Sequence, residues 1–143
     1  MGKTAFGGPV YGAKSLLFSA QMALPALTST VAQTFGATIV PSYEEWYITE
    51  FKAFRGSTGS TGALFELVDD STIIGSVVIG SSVANATGST TLTATPGEYE
   101  GLLVAAGSTL AITVTETSTT VGSSNIAGYA YGFIRYIDST RAV

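Results

Sequence analysis

The side chains that most often carry out chemistry in proteins are scarce in this sequence. Its 143 residues include no histidine and no cysteine. Without histidine there is no Ser-His-Asp triad and no histidine metal site, and without cysteine there is no thiolate nucleophile. Lys14 and Ser15 could form a Ser-Lys dyad, but adjacent side chains of an extended segment point to opposite sides. The sequence therefore predicts a protein that is not an enzyme and needs no cofactor.

The carboxylates form three short pairs. Glu98 and Glu100 would share one side of an extended segment, as a paired-carboxylate glycosidase requires. Asp69 and Asp70 are adjacent and could supply hard oxygen ligands to calcium. Sparse acids at turns and strand edges more often keep a surface soluble or form the turn itself, and Glu44-Glu45 fits that pattern as well. We therefore predict no catalytic pair and no metal site.

The composition excludes two classes of partner. The net charge is −4, and the six basic residues are spread along the chain instead of forming the basic patch that binds nucleic acid. The most apolar stretch, residues 16–27, contains Gln21 and Pro25 and is shorter than the roughly 20 apolar residues that span a bilayer. Hydrophobic residues make up 45% of the chain and charged residues only 11%, so solubility rests largely on serine and threonine hydroxyls. No nucleic acid and no membrane is expected as a partner.

Short apolar runs separated by turn residues predict the fold class. In "TLAITVTET" the side chains of Leu110, Ile112 and Val114 fall on one face and threonines on the other. In "EEWYITEFKAFR" the alternation slips near Glu50, as a β-bulge would cause. Eight or nine such runs and no sustained helical period predict an all-β, antiparallel β-sandwich, jelly-roll-like, with an immunoglobulin-like sandwich as the neighbouring choice.

The first thirty residues differ from the rest, and we divide the chain into an extended N-terminal arm, 1–30, and a β-sandwich domain, 31–143. Glycines and Pro9 interrupt any regular element near the start. Ordering an extended segment costs about 1–2 kcal/mol per residue, and the large apolar residues of the arm are too sparse to offset this unaided. We therefore expect the arm to bind a surface outside its own copy, through Phe6, Val10, Tyr11 and Leu17.

Aromatic residues crowd two of the predicted strands and point to contacts between molecules. A two-layer sandwich gives each strand one inward face, yet both runs carry large rings at both parities. Aromatic side chains are enriched at the buried centres of interfaces. We therefore expect Tyr129, Tyr131 and Phe133 to pack between subunits. An alternative explanation for the excess of aromatic residues is a carbohydrate site, in which a sugar stacks on Tyr43 or Trp46.

Three stretches resemble a known group of proteins. The opening "FGGPVYGAKSLLFS", the central "PGEYEGLLVAAGSTLAITVTET" and the closing "GYAYGFIRYID" resemble small head proteins of tailed bacteriophages, in particular capsid decoration, or cement, proteins. The resemblance implies a jelly-roll-like sandwich that is commonly a homotrimer. It also implies a position on the outside of the virion, bound to the major capsid protein of the same particle and made in the host cytoplasm.

These observations lead to one predicted function and two alternatives. The first is a structural virion protein that binds the outer surface of a phage capsid and stabilises it. The alternative is a carbohydrate-binding β-sandwich of a phage fibre or a secreted adhesin, which would use Tyr43 and Trp46. A third possibility is a β-barrel that binds a lipid or another small ligand in a dry central cavity.

Overall fold

The computed structural model describes residues 14–22, 33–56, 62–80, 86–92, 101–116 and 126–137. All regular structure within these ranges is β-strand, and none of it is a helix that could cross a membrane. The strands are β1 (Lys14–Met22), β2 (Gln33–Ile39), β3 (Glu44–Arg55), β4 (Ala63–Asp69), β5 (Thr72–Ile79), β6 (Ala86–Thr91), β7 (Leu102–Val104), β8 (Thr109–Glu116) and β9 (Ile126–Tyr136).

The strands form two antiparallel sheets that pack face to face. The five-stranded sheet has the order β1-β9-β3-β6, with β7 also paired to β3, and the four-stranded sheet has the order β2-β8-β4-β5. The chain crosses between the sheets after β1, β2, β3, β5, β7 and β8, which is the winding of a jelly roll. The predicted all-β, jelly-roll-like antiparallel sandwich is therefore confirmed.

Alternating side chains fill the space between the two sheets. Leu110, Ile112 and Val114 on β8 are fully buried, while their neighbours face outward, which confirms the alternation predicted from the sequence. On the neighbouring strand of the same sheet, Phe65 of β4 is also fully buried. Its ring meets Phe35 edge to face, with ring centroids 6.2 Å apart. Full burial of each such side chain contributes about 1.5–3 kcal/mol, so these residues stabilise the sandwich.

A β-bulge divides β3 into two halves. The pairing of β3 with β9 shifts between Ile48 and Glu50, so Thr49 is the extra residue, as the slip in the alternation predicted. Its hydroxyl donates a hydrogen bond to the carbonyl of Tyr131, at 3.2 Å. Because of the bulge, Ile48 before it and Phe51 after it both point into the core although they are three residues apart.

Part of the predicted arm is a strand of the sandwich. Residues 14–22 pair with β9 over their whole length. Leu16 and Ala20 are buried and Phe18 packs against the core, whereas Leu17 is 61% exposed. The surface that orders this stretch is β9 of its own copy, which supplies backbone hydrogen bonds in addition to the burial of these side chains. Phe6, Val10 and Tyr11 lie outside the described residues.

Candidate binding surface

Of the two adjacent acids, Asp69 ends β4 and Asp70 begins the turn between β4 and β5. Asp70 adopts a left-handed conformation, with φ 54°, and its Oδ1 accepts a hydrogen bond of 2.9 Å from the Thr109 amide. The Asp70 amide in turn donates to the Thr109 carbonyl at 2.8 Å. This carboxylate therefore has a structural use, as the turn interpretation predicted. Glu98 and Glu100 lie outside the described residues, and the described ones contain no group of three potential metal ligands.

Asp69 makes the stability dependent on pH. Burial raises the pKa of its carboxyl above the usual value of 3.8, the charge of Asp70 raises it further, and a hydrogen bond with Ser108 acts in the opposite direction. A raised pKa means that the folded state holds the proton more tightly than the unfolded state does. The stability that this proton contributes is therefore greatest in acid and is lost as the pH rises through the folded-state pKa.

We expect Asp69→Asn to be more stable than the wild type at neutral pH and equal to it in acid. Asparagine has nearly the same shape and never carries the charge that burial and Asp70 disfavour. Urea unfolding at about pH 3 and about pH 7 measures the two differences in the free energy of unfolding. An equal difference at both pH values would contradict this origin of the effect.

The outer side of the five-stranded sheet carries an apolar surface that we call the aromatic face. Its centre is β9, where Tyr129, Tyr131 and Phe133 alternate with residues that point into the core. Neighbouring strands add side chains at the same level, because residues paired across antiparallel strands share a side of the sheet. The aromatic face consists of Leu17, Tyr47, Leu103, Tyr129, Tyr131 and Phe133.

The rings of this face are packed on one another. Tyr47 stacks on Phe133, with centroids 5.0 Å apart and planes inclined by 8°, and Tyr47 is only 3% exposed. The Tyr129 and Tyr131 centroids are 6.2 Å apart. The Lys52 ammonium lies 5.4 Å from the centre of the Tyr131 ring, within the range of a cation–π contact. The rings are thus held in place before any partner binds, which reduces the entropy cost of binding.

The charges around the aromatic face are paired. Arg135 Nη1 contacts Glu45 Oε1 at 3.1 Å, and Lys52 Nζ lies 3.8 Å from Glu50 Oε1. These partly exposed pairs contribute little to stability. Their consequence is electrostatic, because two cations and two anions leave this part of the surface with no net charge. The surface therefore offers apolar contact and no net electrostatic attraction.

The structure brings together four residues that the sequence analysis had separated. Leu17 was expected to contact a shell, whereas Tyr129, Tyr131 and Phe133 were expected to contact another subunit. Leu17 lies directly opposite Tyr131 in the pairing of β1 with β9, so all four belong to one surface. Tyr47 was not assigned a role beforehand. Its alternation with the buried Trp46 was the signal that could have placed it on this face.

The two residues of the carbohydrate alternative do not form a joint surface. Trp46 is 8% exposed, belongs to the hydrophobic core and donates from Nε1 to Glu44 Oε1 at 2.7 Å. Its ring cannot stack on a sugar, because it points between the sheets, and this corrects the expectation for Trp46. Tyr43 lies in the turn before β3 and is 57% exposed, so it is accessible.

A shallow groove of about 380 Å³ lies where β5 meets β6, at the side of the sandwich. Its described lining is uncharged and comprises Ile74, Gly75, Ser76, Thr90, Thr91, Leu92 and Leu102. The groove lies open at the edge of the fold, while the space between the sheets is occupied by the core side chains. A ligand in this groove would not be enclosed as the small-ligand barrel alternative requires.

No protein-family model and no curated protein matches this chain. Several solved structures are similar to this chain in fold, at low sequence identity. The CBM36-1 domain of a multidomain xylanase from the hindgut metagenome of Trinervitermes trinervoides is 10% identical with a TM-score of 0.44, over 80% of this chain and 96% of that one. A Bacillus endospore appendage protein is 9% identical with a TM-score of 0.47, over 96% and 98%.

The third is a chain of the sacbrood virus of honeybee, in its expansion state II. It is 12% identical with a TM-score of 0.44, over 85% of this chain and 94% of that one. At this level of similarity no function follows for the present chain.

Proposed function

We propose that this protein is a non-enzymatic structural protein of a virion, which binds the outer surface of a capsid and stabilises it. The partner is the major capsid protein of the same particle, and the protein acts there as a homo-oligomer on the capsid exterior. The observation that carries the proposal is the aromatic face. The threefold copy number implied by the resemblance to phage decoration proteins stays a prediction.

The chemistry of the aromatic face favours a protein surface as its partner. Contiguous exposed apolar patches on soluble proteins usually mark interaction sites, and aromatic side chains are enriched at the centres of protein interfaces. The face lies on a sheet, and its described charges are paired with each other. A glycan or small-molecule site is typically concave with a few convergent polar groups, whereas this face offers packed rings.

Attachment through such a face gains strength from repetition. A homo-oligomer presents several copies of the face to a shell that repeats its own subunits. Once one copy is bound, the others are held at high effective concentration, so contacts that are individually modest give lasting attachment. The absence of histidine and cysteine fits a structural role, since such a role requires no nucleophile and no general base.

We expect Tyr131→Ser to weaken attachment to capsids by at least about tenfold, the equivalent of roughly 1.4 kcal/mol. Tyr131 lies at the centre of the aromatic face, between Leu17 on one side and Glu50 on the other. The matched control is Tyr136→Ser, which removes an exposed tyrosine at the end of the same strand and outside the face. Co-sedimentation with capsids that lack this protein measures attachment.

The control variant should bind as the wild type does, and thermal unfolding should show both variants folded. Equal attachment of Tyr131→Ser and wild type would contradict the proposal. If Tyr131→Ser instead dissociated the free oligomer, the aromatic face would be a subunit interface and the capsid contact would lie elsewhere.

The carbohydrate alternative now depends on Tyr43, whose ring is exposed. Because Trp46 lies in the core, its fluorescence is a poor reporter of a ligand at Tyr43. Calorimetric titration with a panel of glycans tests the alternative directly. A glycan that binds the wild type and not Tyr43→Ala would favour it over the structural role.

A further inference from the structure

The two sheets have four edges among the described residues. In the five-stranded sheet β1 forms one edge, and β6 together with β7 forms the other. In the four-stranded sheet the edges are β2 and β5. An outer strand presents backbone groups that can pair with another chain. Proteins commonly prevent this by means of bulges, charges, proline or very short edge strands.

Three of these edges carry such a feature. β2 has a bulge at Phe35, where its pairing with β8 shifts between Thr34 and Gly36. β5 has a bulge at Ile74, where its pairing with β4 shifts. β6 has six residues with Gly88 among them, and β7 beside it has three. β6 itself has no bulge, charge or proline, but each of these edges offers a shorter regular stretch than the nine residues of β1.

β1 has none of these protections. Its nine residues pair with β9 in one unbroken register, without a bulge. It contains no proline, and its only charged residue is Lys14 at its first position. The side chains on its outer side, from Ser15 through Leu17 and Ser19 to Gln21, are uncharged and exposed. A long, regular and uncharged edge is the kind that pairs with another strand.

We infer that β1 pairs with β1 of a second copy of this chain, in antiparallel orientation across a twofold axis at Phe18. This register uses all nine residues. It places Leu16 opposite Ala20 of the second copy and Leu17 opposite Ser19, so buried side chains meet buried ones and exposed side chains meet exposed ones. A shift by one residue would pair inward with outward positions and is excluded for that reason.

The same register suits the charge and the apolar content of the strand. Lys14 lies opposite Met22, so the two lysines of the pair are at opposite ends and do not repel each other. Phe18, which is half-buried against the core of its own copy, meets its equivalent at the axis. A twofold contact uses the same patch on both copies and therefore closes at two, without growing into a fibre. It predicts a dimer in place of the homotrimer that the resemblance to phage decoration proteins implied.

This pairing goes beyond the proposed function, because it rests on the edge of the sheet and not on what the aromatic face binds. It has one consequence for that face. Leu17 is on both the edge strand and the aromatic face, so the faces of the two copies would join into one continuous surface.

Cysteine cross-linking tests the register, because the chain has no cysteine of its own. We expect a mixture of Leu17→Cys and Ser19→Cys to form a disulfide-linked dimer under mild oxidation. Directly opposed residues of antiparallel strands are about 4.5–5.5 Å apart, within the reach of a disulfide. Each variant alone should stay unlinked, because its two cysteines are diagonal neighbours about 7–8 Å apart. Cross-linking of one variant alone, or none in the mixture, would overturn the register.

Charged substitutions at the exposed positions 17 and 19 test the pairing itself. Leu17→Glu/Ser19→Glu should raise the dissociation constant of the dimer at least about tenfold, since like charges then face each other across the axis. Leu17→Lys/Ser19→Lys should do the same, and an equimolar mixture of the two should restore a heterodimer. Thr87→Glu/Ser89→Glu on the opposite edge of the same sheet is the matched control and should leave the dimer intact.

Sedimentation velocity reads the oligomeric state of each sample. A wild-type monomer at high concentration, a trimer, or a mixture that fails to restore the heterodimer would overturn the inference. Capsid attachment is measured in a separate experiment. A negative result for the dimer would therefore not decide whether the aromatic face binds capsids.

Discussion

Replacing Gly132 by alanine is expected to cost about 3 kcal/mol of stability or more, at the upper end of the range for overpacked cores. A Cβ at this position would lie 1.8 Å from the Tyr47 carbonyl oxygen and 3.0 Å from the Ile48 Cα. Both atoms belong to the backbone of β3, so no side-chain rotation can make room. The strands would have to separate beside the Thr49 bulge, where β9 and β3 are held together.

Urea unfolding of Gly132→Ala measures this loss, and Gly80→Ala is its control. A Cβ at Gly80 would meet nothing within 4 Å. Replacing glycine by alanine at a compatible position stabilises by about 0.4–1 kcal/mol through the unfolded state, so the control should be neutral or slightly more stable. Since whole domains are stable by only about 5–15 kcal/mol, the first variant would have lost a large part of its stability. Equal urea midpoints for the two variants would show that β9 and β3 leave room for a Cβ at position 132.

Phe65→Ala is expected to destabilise the sandwich by about 3–5 kcal/mol, the usual cost of truncating a buried phenylalanine. Phe65 is fully buried on β4 and contacts Phe35, so its removal leaves a cavity between the sheets and takes away an edge-to-face contact. For a domain of this size the loss corresponds to a fall in melting temperature of roughly 10 °C.

Phe54→Ala provides the comparison for Phe65→Ala. Phe54 is half-buried on the outer side of β3, opposite Thr87 and Ala127. The loss should be smaller there, because a ring partly in contact with water forfeits less transfer free energy and leaves no enclosed cavity. Calorimetric melting of both variants makes the comparison. A larger loss for Phe54→Ala would mean that the outer side of the five-stranded sheet is more deeply covered than its exposure indicates.

The two proposals describe complementary uses of one sheet. Its outer side presents stacked rings with the nearby charges paired, and its β1 edge lacks the features that prevent strand pairing. Neither use requires a titratable nucleophile or a bound cofactor. Both depend on shape and apolar contact, which agrees with a chain of which only 11% is charged.

Much of the fold could be predicted because it depends on local patterns. The alternation of Leu110, Ile112 and Val114 indicates which side of β8 is buried whatever strand lies next to it. The slip near Glu50 indicated the bulge in β3, and adjacent aspartates indicated the turn at Asp70. In each case residues close together in the sequence determine the conformation through sterics and short-range hydrogen bonds.

The candidate surface could be predicted only in part. The spacing of Tyr129, Tyr131 and Phe133 is sufficient to put them on one side of their strand, because side chains alternate along an extended chain. That alternation does not say which side faces the core. Trp46 shows the difficulty, because its large ring suited an exposed binding role as well as a buried one, and the structure places it between the sheets.

The sequence by itself determined the strands that follow the arm, the bulge in β3 and the turn at Asp70. It also excluded catalysis that depends on histidine or cysteine. The tertiary structure alone decided that the first strand joins the sandwich and that Leu17 lies opposite Tyr131, at the other end of the chain. It also decided which strands form the edges. The physical reason is that periodicity is a property of one strand, whereas the choice of a neighbouring strand depends on packing and hydrogen bonding between segments far apart in the sequence.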